Sequence, residues 1–336
     1  MIPRGTIYSE LRSKMVGNFP EGSKAVFGDS ATVGEWLSTG SLVVKSSTKN
    51  RVVFEAPIVE FGSSLLTEIE NLLNHCFEHL QELGCASEDK RVRSEAWNTV
   101  TAYYFAFFSA SALLRLLGRP VVFLSRDQLQ SFPKMLGSGI APSQGAFEIL
   151  FVSSISATHA EFSLQPTSKV HEATWQHLLG LFDGMYRNLS PRPDANEALF
   201  YASLSTKVLF SQYVNFQWPS SVRNRANYRP GYAYKLQTAR SQNFQLISEW
   251  AQAESQDTSK VLETALAACQ SDVVIFVNHV QLLTAVGASL FQLARELYAD
   301  LLTRKSLDKR WEHSRRSYMK RMCSVGCDHK RLARTF

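Results

Sequence analysis

Between Trp97 and Leu114 the chain carries no charged residue. Asn98, Thr99, Thr101, Ser109 and Ser111 are instead scattered among tyrosines, phenylalanines and alanines. Apolar side chains fall on every face at helical spacing, a pattern that predicts a helix enclosed by protein rather than lying on a surface. Ala102, Ala106, Ala110 and Ala112 let neighbouring helices approach closely, while Tyr103, Tyr104, Phe107 and Phe108 fill the spaces between them. At about 1.5 Å per residue, Arg91 to Leu117 makes a rod of roughly 40 Å, the spine of a helical bundle. Gly118 and then Pro120 predict its end. Val273–Arg304 predicts a second long buried helix, with Gly287 near its middle.

The pattern elsewhere alternates between strand and helix periods. Ser41–Ser47 and Asn50–Phe61 are β-branched and aromatic, separated by a polar turn, and predict two strands. Ser63 or Ser64 is placed to cap a helix running to Leu83 and closed by Gly84. Pro120–Phe132 predicts a short apolar strand and a helical turn, and Pro133–Gln144 a loop. Ala146–Ser154 and Thr158–Leu164 predict a β-hairpin. Val170–Leu189 returns to the helical period, with Trp175, Leu178, Leu179, Phe182 and Met185 on one side. Pro191 and Pro193 break the chain; Asn196–Phe216, Gln242–Glu254 and Lys260–Cys269 read as further helices. The predicted organisation is mainly α: a small β-containing cap over residues 1–61, a helical bundle over 62–302 with the hairpin inserted at about 146–165, and a basic helical tail over 303–336.

A hydrophobic fraction of 45% and a charged fraction of 20% are those of a folded globular protein. Both charge-free stretches hold several polar side chains, Asn278, His279, Gln281 and Gln292 in the second, so they read as buried bundle helices and not as membrane spans. The first residues hold no apolar signal core, and five cysteines, an odd number, read as reduced thiols; both point to the cytoplasm. Charge changes the picture at one end. Residues 304–336 carry eleven Lys and Arg against three acids, an excess larger than the net +6 of the whole chain. On a helix, Lys305, Lys309, His313, Arg316 and Lys320 form one stripe and Trp311, Tyr318 and Met322 lie on another face. Such a stripe suits a phosphate backbone or an acidic partner protein. His75 and His79, at i and i+4 with Glu78 between them, have zinc-ligand spacing, and Cys323, Cys327 and His329 cluster near the end. The first pair spells the His-x-x-Glu-His order of inverted zinc peptidases, but nothing else in the chain suggests that fold. The Cys-x-x-x-Cys-x-His spacing of the second, even with His313, is not that of a usual zinc knuckle, and no metal or cofactor is assigned.

Two segments carry a resemblance. AYYFAFFSASALLRLLG, Ala102–Gly118, is similar to the second helix of small prokaryotic members of the HEPN superfamily. Arg223, Asn224, Arg225, Ala226, Asn227 and Tyr228 resemble the later Arg-x-x-Ala-Asp-Tyr signature of the same proteins, with Asn227 for the Asp. The likeness covers about Leu65–Ser241. It implies a HEPN-like bundle and a prokaryotic defence or toxin–antitoxin setting, with RNA, nucleotidyltransferase or other defence-complex subunits as partners, and a homo- or hetero-oligomer.

Many HEPN proteins are metal-independent ribonucleases whose Arg is followed by a polar residue and then, four to six residues on, by a His. The Arg stabilises charge developing on phosphorus and the imidazole moves protons. Here Arg223 and Asn224 are present, no His stands at the required distance after any Arg, and Tyr228 occupies the place. The first expectation is therefore a non-catalytic subunit that binds nucleic acid or nucleotides through Arg223, Arg225 and Arg229 and through Lys305, Lys309, Arg316 and Lys320. The alternatives are a ribonuclease with an atypical site built from Arg223, Asn224 and Tyr228, and a protein–protein scaffold.

Overall fold

The computed structural model describes residues 6–20, 22–25, 32–88, 95–130, 142–188, 218–228 and 276–304. The predicted helices at 196–216, 242–254 and 260–269, the loop at 133–144 for most of its length, and the basic tail with Lys305, Lys309, Arg316 and Lys320 lie outside them, as does Arg229. In chain order the elements are α1 Thr6–Asn18, α2 Val33–Thr39, β1 Val43–Thr48, β2 Arg51–Pro57, α3 Ile58–Glu88 and α4 Glu95–Leu116. There follow β3 Val121–Leu124, α5 Arg126–Leu129, β4 Gly145–Ser154, β5 His159–Pro166, α6 Val170–Asn188, α7 Trp218–Tyr228 and α8 Phe276–Arg304. The architecture is mainly helical, with one small antiparallel sheet. Among the described residues no helix is long and apolar enough to cross a membrane.

Helix α4 is the hub, packing against α3, α6, α7 and α8. Its all-round apolar character is thereby used: Ala102, Tyr103, Phe105, Ala106, Ala110, Ala112 and Leu113 are all buried. Burial of each large side chain is worth about 1.5–3 kcal/mol. The helix ends where Gly118, at φ 69°, turns the chain left-handed. Gly118 N–H donates to the Arg115 carbonyl and Arg119 N–H to that of Leu114, 2.9 Å each, the paired bonds of a Schellman cap. α8 packs tightly on α4 at Gly287, where a Cβ would stand 2.7 Å from the Phe105 ring.

Helix α3 differs from expectation at both ends. Ile58 to Phe61, read in sequence as strand, form its first turn, and Gly84 does not close it, since it continues to Glu88. Ser63 and Ser64 are interior to it: their hydroxyls donate back to the Val59 and Phe61 carbonyls at 2.7 and 2.9 Å. Both predicted hairpins form, and they belong to one sheet. Its order is β1-β2-β5-β4-β3, with β2 pairing β5 from Val52↔Leu164 to Pro57↔His159. The N-terminal strands and the inserted hairpin thus complete each other. Phe54 and Phe162, directly paired, stack with centroids 5.7 Å apart and meet Trp36 of α2 and Phe61 of α3. Beside this cluster Glu68 of α3 pairs with Arg115 of α4, both nearly buried, and accepts from Val33 N–H at 2.9 Å.

Candidate functional site

The two segments that carry the resemblance meet in space. Helix α7 lies along α4, held by buried Trp218 and Val222, and this seats Arg223 over two consecutive tyrosines. The Arg223 Cζ stands 5.3 Å from the ring centroid of Tyr103 and 5.9 Å from that of Tyr104. Both are within cation–π range. Arg223 is half-buried, its Nε is shielded from solvent without a hydrogen-bond acceptor, and no carboxylate among the described residues pairs with it. Among the described residues this guanidinium therefore has no counter-anion.

Around it is a polar knot inside an aromatic shell. The Tyr103 hydroxyl shares a hydrogen bond of 2.7 Å with Nδ1 of His171, from α6, and lies 3.2 Å from Oγ of Ser220, from α7. The imidazole of His171 stacks on Phe107 with centroids 4.1 Å apart and meets Tyr104 edge-on at 6.1 Å. Burial, aided by the Arg223 charge, lowers the His171 pKa from 6.5 to about 4. The ring is therefore neutral around pH 7, and the lowered pKa makes it a weak base there. Burial raises the Tyr103 phenol, opposed by its hydrogen bond to Ser220 and by the nearby guanidinium. Tyr103 is thus a neutral phenol, a hydrogen-bonding link between α6 and α7.

The sequence pattern makes Arg223 a candidate and does not single out His171, although the fold places both beside Tyr103. No histidine follows the arginine at short spacing in the chain, whereas the fold brings one from another helix. The signal was present in the period of α6. Positions 171, 175, 178, 182 and 185 recur at helical spacing, so His171 continues the inward face of Trp175, Leu178, Phe182 and Met185, all buried. Asn224, Arg225 and Tyr228, also candidates, project from α7 as exposed side chains, with Tyr228 73% exposed at the helix end. They do not join the knot. Tyr228 thus lies exposed at the helix end, apart from the buried Tyr103 site.

The other histidines have different surroundings. His75 and His79 share one face of α3, as their spacing required, but each Nδ1 faces a glutamate of its own helix, Glu78 at 3.1 Å and Glu82 at 3.5 Å. Their rings lie against Phe108. No group of three metal-ligating side chains occurs among the described residues, and Cys323, Cys327 and His329 lie outside them. His177 stands between Glu148 of β4 and Arg119, 3.1 and 3.4 Å from its two ring nitrogens, and joins sheet to helix. Cys76 is fully buried, its thiol pushed up to about 12 by desolvation, and is chemically quiet. No protein-family model matches the chain, and no curated protein or solved structure is significantly similar to it.

Proposed function

We propose that the protein is a non-catalytic binding subunit that holds a phosphate group of nucleic acid at Arg223. The carrying observation is the guanidinium over Tyr103 and Tyr104 with no carboxylate partner among the described residues. Structural arginines in such half-buried positions are ordinarily neutralised, because an unpaired charge out of water is costly. An anionic ligand supplies what is missing, and a phosphate oxygen suits the donor fork of an arginine. The basic tail, with Lys305, Lys309, Arg316 and Lys320, adds non-specific attraction for the same polyanion in this reading. The HEPN likeness supplies the setting, a subunit of a prokaryotic defence or toxin–antitoxin assembly with RNA and a partner protein.

One observation favours a second reading, a metal-independent ribonuclease. His171 lies beside Arg223 and joins the same tyrosine, so a cation and an imidazole share a site although the sequence separates them. The binding reading is preferred because His171 titrates at about 4. A histidine that must also return a proton to a leaving group works best with a pKa near the working pH.

The two are separated by one preparation. Fluorescence anisotropy of labelled RNA, with wild type and Arg223→Gln, should show salt-sensitive binding that the substitution weakens about tenfold or more, the range for a lost charged hydrogen bond. Equal affinity in the two proteins overturns the binding reading. Incubation of the same RNA in EDTA should leave it intact. Cleavage that Arg223→Gln and His171→Ala both abolish would establish the second reading instead.

A further inference from the structure

Resting on Arg223 as a phosphate site, the ring surface beside it specifies what the phosphate is attached to. Tyr104 does not end at its contact with Arg223. Its ring lies near-parallel to His79 at 6.2 Å and 23°, and packs with Phe108 at 5.7 Å. Phe108 in turn lies near-parallel to His79, at 5.6 Å and 14°, and meets His75 at 5.3 Å. The result is a continuous lane across α4 and α3, running from the guanidinium through Tyr104 and Phe108 to the two imidazoles. It is partly open to solvent. Tyr104 and Phe108 are incompletely buried, and the side chains of His79 and His75 are 24% and 55% exposed. Flat rings on an accessible lane next to a cation that no described carboxylate pairs form a pattern that an apolar core does not require.

The charges along the lane are ordered. Positive charge without a counter-ion among the described residues sits at the Arg223 end, and the carboxylates of Glu78 and Glu82 stand at the α3 end, each against a histidine. A run of phosphates along the whole lane would meet those carboxylates. One phosphate at Arg223 with its own flat, uncharged base directed toward α3 meets none of that repulsion. Base faces are available for such stacking only when unpaired, because in a duplex they lie against each other. We infer that the lane formed by Tyr104, Phe108, His79 and His75 stacks the base of an unpaired nucleotide whose phosphate is held by Arg223. The nucleotide can come from a single strand or from free mononucleotide.

The test uses the full chain and a fluorescent oligoadenylate, compared with an abasic strand of equal length and with the same sequence as a duplex. The oligoadenylate is expected to bind about tenfold more tightly than the abasic strand, in line with one stacked base. Phe108→Leu, which retains apolar bulk, and His79→Ala, each checked for native circular dichroism, should bring the oligoadenylate down to the abasic level and leave the abasic strand unchanged. Arg223→Gln should weaken both probes. Equal binding of the oligoadenylate and the abasic strand, with both still sensitive to Arg223→Gln, overturns the lane and leaves the phosphate site standing. Insensitivity of both probes to Arg223→Gln overturns the phosphate site and the lane with it. Duplex binding as tight as the single strand also overturns the lane. Adenosine monophosphate that competes as well as the oligoadenylate identifies free nucleotide as the ligand; competition only by the strand identifies single-stranded nucleic acid.

Discussion

The hydroxyl of Tyr103 lies 2.7 Å from Nδ1 of His171, joining α4 to α6 directly beneath the Arg223 guanidinium. Around Tyr103 the fold thus gathers an imidazole and a cation that the sequence places far from it. Tyr103 has two parts to separate: the hydroxyl, which bonds the neighbouring helices and also feels the guanidinium, and the ring, over which the guanidinium lies.

Tyr103→Phe tests that separation. The substitution leaves a ring beneath Arg223 and removes the hydrogen bond to His171 and the contact with Ser220. Leaving these buried partners unmatched should cost about 1–3 kcal/mol in urea denaturation. Phosphate binding, which in our reading uses the ring and the guanidinium, should change little in anisotropy. A large loss of affinity at unchanged stability would instead give the hydroxyl a direct contact with the ligand.

The pH dependence of stability should show His171. Its pKa in the folded chain, about 4, lies below the 6.5 of a free imidazole. Between those values the unfolded chain binds the proton more readily than the folded one. The stability this histidine confers is therefore complete above pH 6.5 and is lost as pH falls toward 4. His171→Gln removes the titration. Urea midpoints measured across that window should fall less steeply for the variant than for wild type; parallel curves would contradict the assignment.

Glu68 and Arg115 should behave as a unit. The pair is nearly buried, and its charged groups also bond Val33 N–H, the Ser111 carbonyl and the Val121 carbonyl. Through them α2, α3, α4 and β3 are fastened at one point. Glu68→Ala leaves a guanidinium without its counter-charge and should cost about 3–5 kcal/mol. Removing both partners together should cost less than the sum of the single losses, a coupling that a double-mutant cycle in denaturant reads directly.

What the sequence revealed depended on whether neighbours in the chain held the information. The enclosure of α4 was legible because eighteen uncharged residues with apolar faces all round have only one stable environment. Its end was legible from Gly118. The meeting of Arg223 with the tyrosines followed from two separated signatures, and the fold brings them together. The unity of the sheet was not legible, since β2 and β5 alternate like any half-exposed strands and nothing local in either names the other. The start of α3 was misread for a related reason: Ile58, Val59 and Phe61 are β-branched or aromatic, and packing against Trp36 and Phe162 overrode their strand preference. The place of His171 beside Arg223 was hidden because the two lie on helices far apart in the chain, although the helical period of α6 already turned His171 inward.

Two glycines at helix surfaces should respond oppositely to alanine. Gly287 of α8 is where that helix meets α4. An added Cβ there would stand 2.7 Å from the Phe105 ring and 3.0 Å from Cα of Ala106. The ring belongs to a fully buried side chain and the second atom is backbone, so neither yields without moving a helix. Gly287→Ala should lose about 1–3 kcal/mol, the usual cost of overpacking, despite the better helix propensity of alanine. Gly180 lies on the exposed side of α6, and a Cβ added there meets nothing within 4 Å. Gly180→Ala should gain up to about 1 kcal/mol from propensity alone. Thermal midpoints of the two variants should therefore move in opposite directions from wild type. If Gly287→Ala instead matched or exceeded Gly180→Ala, α8 would not pack on α4 at the distance that this core requires.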